Sequence, residues 1–162
     1  MKLTRRTSRR RAVAEAGAKR RAGDAAAAVE ILAPVLMADE DDAAANVEMA
    51  RALHVLDDLA GAEEHYRRAL REELDYKLVV ELAGVVGSAG RIKEAEELLG
   101  AALQMTQAVE GLDPGEALLV SATLAAGQGD NDRARSILDE IDAGSSEPEV
   151  LEFSKRLRDR LR

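Results

Sequence analysis

The sequence predicts an all-α fold, a helical solenoid of about four helix pairs closed by a C-terminal capping helix. Three observations carry this expectation. A small–large–small triplet, with steps of four and three, puts Ala62, Tyr66 and Ala69 on one helix face. It returns loosely as Ala28, Leu32 and Val35, as Ala95, Leu99 and Ala102, and as Ala134, Leu138 and Ile141. The triplets start 34, 33 and 39 residues apart, and a period near 34 filled by two helices is the mark of a stacked repeat. Five residues ahead of each triplet stands a turn residue (Gly23, Asp57, Gly90 or Gly129), followed directly by Asp24, Asp58, Arg91 or Asp130. Gly suits a backbone leaving one helix for the next, and Asp caps the free N–H groups of the helix that follows. Twelve residues ahead of each triplet is a small residue, Ala16, Ala50, Ala83 or Ala122, which lets paired helices approach closely.

The elements follow in order. Residues 1–8 show no helical face and are expected as a basic N-terminal arm. Ser8 is expected to start a helix running to about Arg21. Gly23-Asp24 turns the chain into a second helix over 24–37, where Pro34 is expected to bend or end it. The acidic run 39–42 is a loop that also favours the next helix N-terminus. Helices then span about 43–56, 59–73, 75–88 and 92–109, and the length of the last accounts for the 39-residue spacing. Asp113-Pro114-Gly115-Glu116 and Ser146-Glu147-Pro148-Glu149 both read as capping boxes. Between them lie helices ending near Ala126 and Asp142, and after them a helix over 147–161 with Val150, Phe153, Leu157 and Leu161 in one stripe. The organisation is therefore an arm over 1–8, a solenoid over 9–145 with repeats near 9–42, 43–75, 76–114 and 115–145, and a cap over 146–162.

Composition narrows the function classes. With no Cys, disulfides and thiolate metal sites are excluded. No apolar run approaches the ~20 residues that span a bilayer. The basic N-terminus is followed by no apolar stretch, so a secretory signal is not expected and the cytoplasm is the expected location. The Ala and Arg usage resembles that of a GC-rich bacterium. The net charge of −8 hides an asymmetry. Residues 1–22 hold nine Lys/Arg against one acid, or +8, and the last eleven hold five against two, or +3, which leaves −19 on residues 23–151.

The pattern resembles the tetratricopeptide repeat family. Ala50, Ala62, Tyr66 and Ala69-Leu70 occupy that family's packing positions in order, and Gly90 with Ala95, Gly23 with Ala28 and Gly129 with Ala134 repeat the match over about residues 9–142. The chain departs from the family where a large aromatic is usual early in the first helix: Ala12, Asn46, Val79 and Leu118 stand there. The resemblance implies a right-handed solenoid whose first helices line a concave groove that binds a partner. It places Arg20, Arg21, Val47, Arg51, His54, Lys77, Val80, Gly84, Leu119 and Thr123 on that groove. The family's clamp for a C-terminal carboxylate does not fit, because only Lys77 matches; Val13 and Gly17 offer no side-chain donor, and Glu48 and Glu81 would repel a carboxylate. A groove basic near its N-terminal end suits an acidic or phosphorylated segment instead.

The resulting expectation is a non-catalytic protein–protein interaction scaffold or adaptor within a multiprotein assembly, with no cofactor and no metal. His54 and His65 lie on different helices with no acid pair to join them. Gly127-Gln128-Gly129 lacks the strand and Lys of a phosphate loop, and Asp39–Asp42 lacks the alternation and central Gly of a calcium loop. The alternative is a nucleic-acid or ribonucleoprotein-associated factor attached through Arg5, Arg6, Arg9, Arg10 and Arg11, a salt-sensitive contact without sequence preference. The acidic body opposes nucleic acid along the solenoid, and the arm has no aromatic for base stacking.

Overall fold

The structure, a computed structural model, describes the backbone of residues 2–161 and the side chains from Thr7 to Leu161. The described residues form α-helices joined by short turns: α1 (Lys2–Arg21), α2 (Ala25–Ala38), α3 (Ala43–Val55), α4 (Leu59–Glu72), α5 (Tyr76–Ser88), α6 (Ile92–Ala108), α7 (Gly115–Gly127), α8 (Asn131–Gly144) and α9 (Pro148–Arg160). They fall into two compact units, Met1–Leu78 and Val79–Arg162.

The four turn sites share one construction. Gly23, Asp57, Gly90 and Gly129 all have positive φ, between 63° and 87°. In each, the N–H of the turn residue donates three residues back and the next N–H donates five back, as in Gly23 to Arg20 and Asp24 to Lys19, both at 3.0 Å. This left-handed stop satisfies the orphan carbonyls of the ending helix. Asp24, Asp58 and Asp130 then accept the N–H groups of Ala27, Gly61 and Arg133 and start the following helix. Arg91 has no capping bond. It pairs with Glu94 at 3.2 Å instead.

In the first unit, α1 packs on α2, α2 on α3, α3 on α4, and α1 also touches α3. Ala16, Ala28, Leu32, Ala45 and Ala52 form its fully buried centre, with Val13, Val35 and Leu53 half-buried around it. Ala62, Tyr66 and Ala69 are buried on α4. The helix α1 starts at Lys2, so the segment expected to be an arm ahead of Ser8 is helical. Its Lys, Leu and Arg residues are good helix formers, and extending an existing helix is far easier than nucleating one. Likewise α2 does not end at Pro34 but runs to Ala38. Tertiary packing of Leu32, Val35 and Leu36 carries the helix past the missing N–H.

The first unit also holds a buried polar knot. Asn46 is fully buried, at a position where the resemblance leads one to expect an aromatic. Its amide nitrogen donates to the carbonyls of Glu40 (2.8 Å) and Asp42 (3.0 Å). With both amide hydrogens engaged, its oxygen is the acceptor for His65 Nδ1–H at 2.7 Å. One side chain thus ties the α2–α3 loop to α4. Burial pushes the His65 imidazole below its usual value; Glu64 and Asp58 raise it in part, and Arg68 lowers it.

In the second unit, α6 packs on α7, α7 on α8, and α9 on both α7 and α8. Ala122, Ala125, Ala134, Leu138, Ile141, Val150 and Leu161 form a buried cluster. The 39-residue spacing comes from two sources. The helix α6 has 17 residues where α2 has 14, and the α6–α7 loop is two residues longer than the α2–α3 loop.

Neither expected capping box forms in this unit. Asp113 Oδ1 accepts only Gly115 N–H (2.7 Å), and its Oδ2 reaches across to Ser146 N–H (2.9 Å) and the hydroxyls of Ser145 and Ser146. Ser146 is therefore drawn to Asp113, and Glu147 stands at the N-cap of α9 without a side-chain bond. Desolvation pushes the Asp113 carboxyl up, but the bonds from Ser146, Gly115 and Ser145 outweigh it and hold the group below the usual carboxylate range. On α9 the inward stripe is Val150, Ser154 and Leu161, with Leu157 half-buried beside them, rather than one through Phe153. Ser154 donates to Asp142 at 2.8 Å, while Phe153 lies exposed beneath the Arg156 guanidinium, 5.8 Å away.

Candidate partner-binding groove

In the first unit the first helices of the two pairs, α1 and α3, lie side by side. Steps of three and four along α1 bring Arg10, Val13, Ala14, Gly17 and Arg21 to one face. Gly17 is buried, and a Cβ there would stand 3.1 Å from Glu48 Oε2 and 3.2 Å from Arg21 Nη1. The missing side chain is what lets these two groups fold over α1. Glu48, on α3, is held from two sides: Arg20 Nε donates to Oε2 at 3.2 Å and Arg51 Nη1 to Oε1 at 2.9 Å. Arg20 and Arg51 thus hold a single carboxylate, and the Arg21 guanidinium lies near it over Gly17.

One helical turn towards the N-terminus, the same two helices and the N-cap of α3 border an open cavity of about 330 Å³ lined by Arg9, Arg10, Val13, Ala14, Asp42 and Ala44. Asp42 Oδ1 caps α3 through Ala45 N–H at 2.8 Å, and its Oδ2 takes Arg9 Nε at 2.8 Å. Arg9 also pairs with Asp39. The charge of Arg9 is therefore countered within the fold, while Arg10 lines the cavity with no ion pair among the described residues.

The expected groove residues separate accordingly. Arg20 and Arg51 pair with Glu48 and Arg21 lies beside them over Gly17; Val47 is half-buried on α3 and His54 is exposed near its end. Lys77 is exposed at the start of α5. In the second unit Val80 is buried in the core, so it offers almost no surface to a partner. Its neighbours Val79, Leu82 and Ala83 are buried with it. Gly84 is half-buried with open space beside its Cα. Leu119 is half-buried against the α7–α8 core, and the exposed Thr123 donates its hydroxyl to Leu119 carbonyl oxygen at 2.8 Å. Of the basic residues expected in the arm, Arg9, Arg10 and Arg11 lie on α1, and the side chains of Arg5 and Arg6 lie outside the described residues.

Sequence reasoning used Glu48 only as an obstacle to a carboxylate. It missed that Glu48 organises two arginines, one of them 28 residues away. The signal within reach was the i,i+3 pairing of Glu48 with Arg51. Gly17, read there only as a groove position without a donor, is the space that the cluster needs.

Helix hairpins turned by a left-handed residue, with an Ala of the first helix fully buried in each pair, define a helical-repeat protein, and in its first unit the first helices α1 and α3 lie together. The family model of the tetratricopeptide repeat matches residues 19–85, and with the all-helical architecture the chain fits a tetratricopeptide helical-repeat protein. That family generally mediates protein–protein interaction and is typically non-catalytic. No curated protein matches the chain. No helix among the described residues is long and apolar enough to cross a membrane.

Proposed function

We propose that the chain is a non-catalytic scaffold of the bacterial cytoplasm, acting within a multiprotein assembly, that holds an acidic extended segment of a protein partner against the α1–α3 face. One observation supports this above the others. In a chain of net charge −8, that face carries Arg9, Arg10, Arg20, Arg21 and Arg51, with Asp42 taken by Arg9 and Glu48 held by Arg20 and Arg51. Guanidinium groups pair with carboxylates through two parallel bonds, so such a surface favours an acidic segment. The partial burial of Arg20 and Glu48, with side chains 20% and 13% exposed, lessens solvent screening of the cluster.

The test is affinity capture from the source cells after nuclease treatment, comparing the wild-type chain with Arg21→Glu. A protein captured by the first and lost by the second supports the groove. A catch that disappears with nuclease instead assigns the basic α1 helix to a nucleic-acid complex.

A further inference from the structure

The cavity and the arginine cluster lie at a fixed spacing. Val13 to Gly17 on α1 and Ala44 to Glu48 on α3 are both steps of four, about 6 Å along a helix. An extended chain advances about 3.3 Å per residue and turns alternate side chains to the same side, so its positions i and i+2 are also about 6–7 Å apart on one face. The cavity of about 330 Å³ is lined by Val13, Ala14 and Ala44 and by Arg9, Arg10 and Asp42. Its size lies at the low end for ligand sites and suits one large side chain. Its own acid, Asp42, is engaged by Arg9 and by the α3 cap, so the cavity presents a mostly apolar lining to an incoming group together with the Arg10 charge.

Resting on the groove reading above, we infer that the partner segment carries a large apolar residue two positions from an Asp or Glu. The apolar side chain fills the Arg9–Val13–Ala44 cavity, and the carboxylate reaches the Arg20, Arg21 and Arg51 guanidiniums. The anchor supplies buried apolar area, which a purely acidic segment would lack. The charge pair then fixes the register of the segment along α1 and α3. A segment with acids alone would lack that area and would bind more weakly, with a steeper dependence on salt.

The experiment is selection of binders from a random dodecapeptide library on the full-length protein, followed by titration of a labelled peptide made from the enriched sequence. The expected result is an enriched pattern of a large apolar residue two positions from an acid. Ala44→Leu, which fills the cavity from an exposed position, should weaken that peptide at least tenfold. Ala14→Leu, also at an exposed position, should do the same if Ala44→Leu disturbs the helix signal in circular dichroism. Replacing the peptide's apolar residue by Ala should erase the difference between wild type and Ala44→Leu. Peptides that are acidic but show no apolar preference, and that lose binding to Arg21→Glu while ignoring Ala44→Leu and Ala14→Leu, would overturn the anchor and leave the groove standing. A library that yields no peptide sensitive to Arg21→Glu would overturn both.

Discussion

Asp57→Gly should stabilise the protein. Three of the four hairpin turns place Gly at the left-handed position, and the fourth places Asp57 there with φ of 63°. A left-handed backbone costs an L-residue roughly 1–2 kcal/mol, with Asp at the low end because its short side chain tolerates the region. Gly removes that cost but loses roughly 0.5–1 kcal/mol to the greater freedom of the unfolded chain. Asp57 is exposed and its carboxylate makes no bond to a described residue, so little else changes. The helix start is preserved because the cap is Asp58. The net gain should be about 0.5 kcal/mol, up to ~1 kcal/mol. For a chain of this size that raises Tm by roughly 1–4 °C. The assay is thermal and urea unfolding followed by helix signal at 222 nm, with Gly129→Ala as the mirror experiment. That change forces a Cβ into the same conformation, at φ of 79°, and should cost about 1 kcal/mol or more. If Asp57→Gly lowers stability while Gly129→Ala behaves as expected, the Asp57 side chain contributes something that its geometry does not show, and the strain reasoning fails.

Pro34→Ala should restore a helix hydrogen bond in the interior of α2 and raise stability by up to ~3 kcal/mol; a neutral or negative change in the urea midpoint would count against an interior position. Asn46→Leu should cost about 2 kcal/mol, because it leaves the Glu40 carbonyl and the His65 N–H without their partner, while the Asp42 carbonyl keeps the backbone N–H of residue 46, and a stability unchanged in urea would show that water replaces the amide there. The folded His65 titrates below its ordinary value of 6.5, so the unfolded chain binds the extra proton first. Its contribution to stability is therefore present above about pH 6.5 and declines as pH falls towards the lowered folded value. His65→Gln, whose amide can still donate to Asn46, should flatten that part of the Tm-versus-pH curve; an unchanged slope would assign it to other groups. Asp113 has the opposite acid–base type and acts lower: its folded value is depressed, so its contribution is full above the usual carboxylate range and is lost as pH falls through the folded value.

The turns and the core were readable in the sequence because both are local. A left-handed residue followed by Asp is a backbone requirement written in two adjacent letters, and the triplets recur at helical spacing. Eleven of their twelve residues are buried, with Val35 half-buried. What escaped depends on partners far along the chain. Asp113 has the letters of a helix cap but is bound by Ser145 and Ser146, 32 and 33 residues on. Phe153 has the hydrophobicity of a core residue, yet Ser154 takes the inward position because Asp142 waits there for its hydroxyl. The basic end of the groove was visible as a count of arginines. Its shape was not, since Gly17 has meaning only once Glu48 is brought over it from another helix.

The groove is tested most directly by titrating the partner recovered in nuclease-treated capture against the wild-type protein and Arg21→Glu at two salt concentrations. Arg21 is exposed at the end of α1 and outside the buried core, so the two proteins should melt alike. The expected result is at least tenfold weaker binding by the variant, with the difference shrinking as salt rises. Equal affinities at both salts, from proteins with equal Tm, would contradict partner binding at the α1–α3 face.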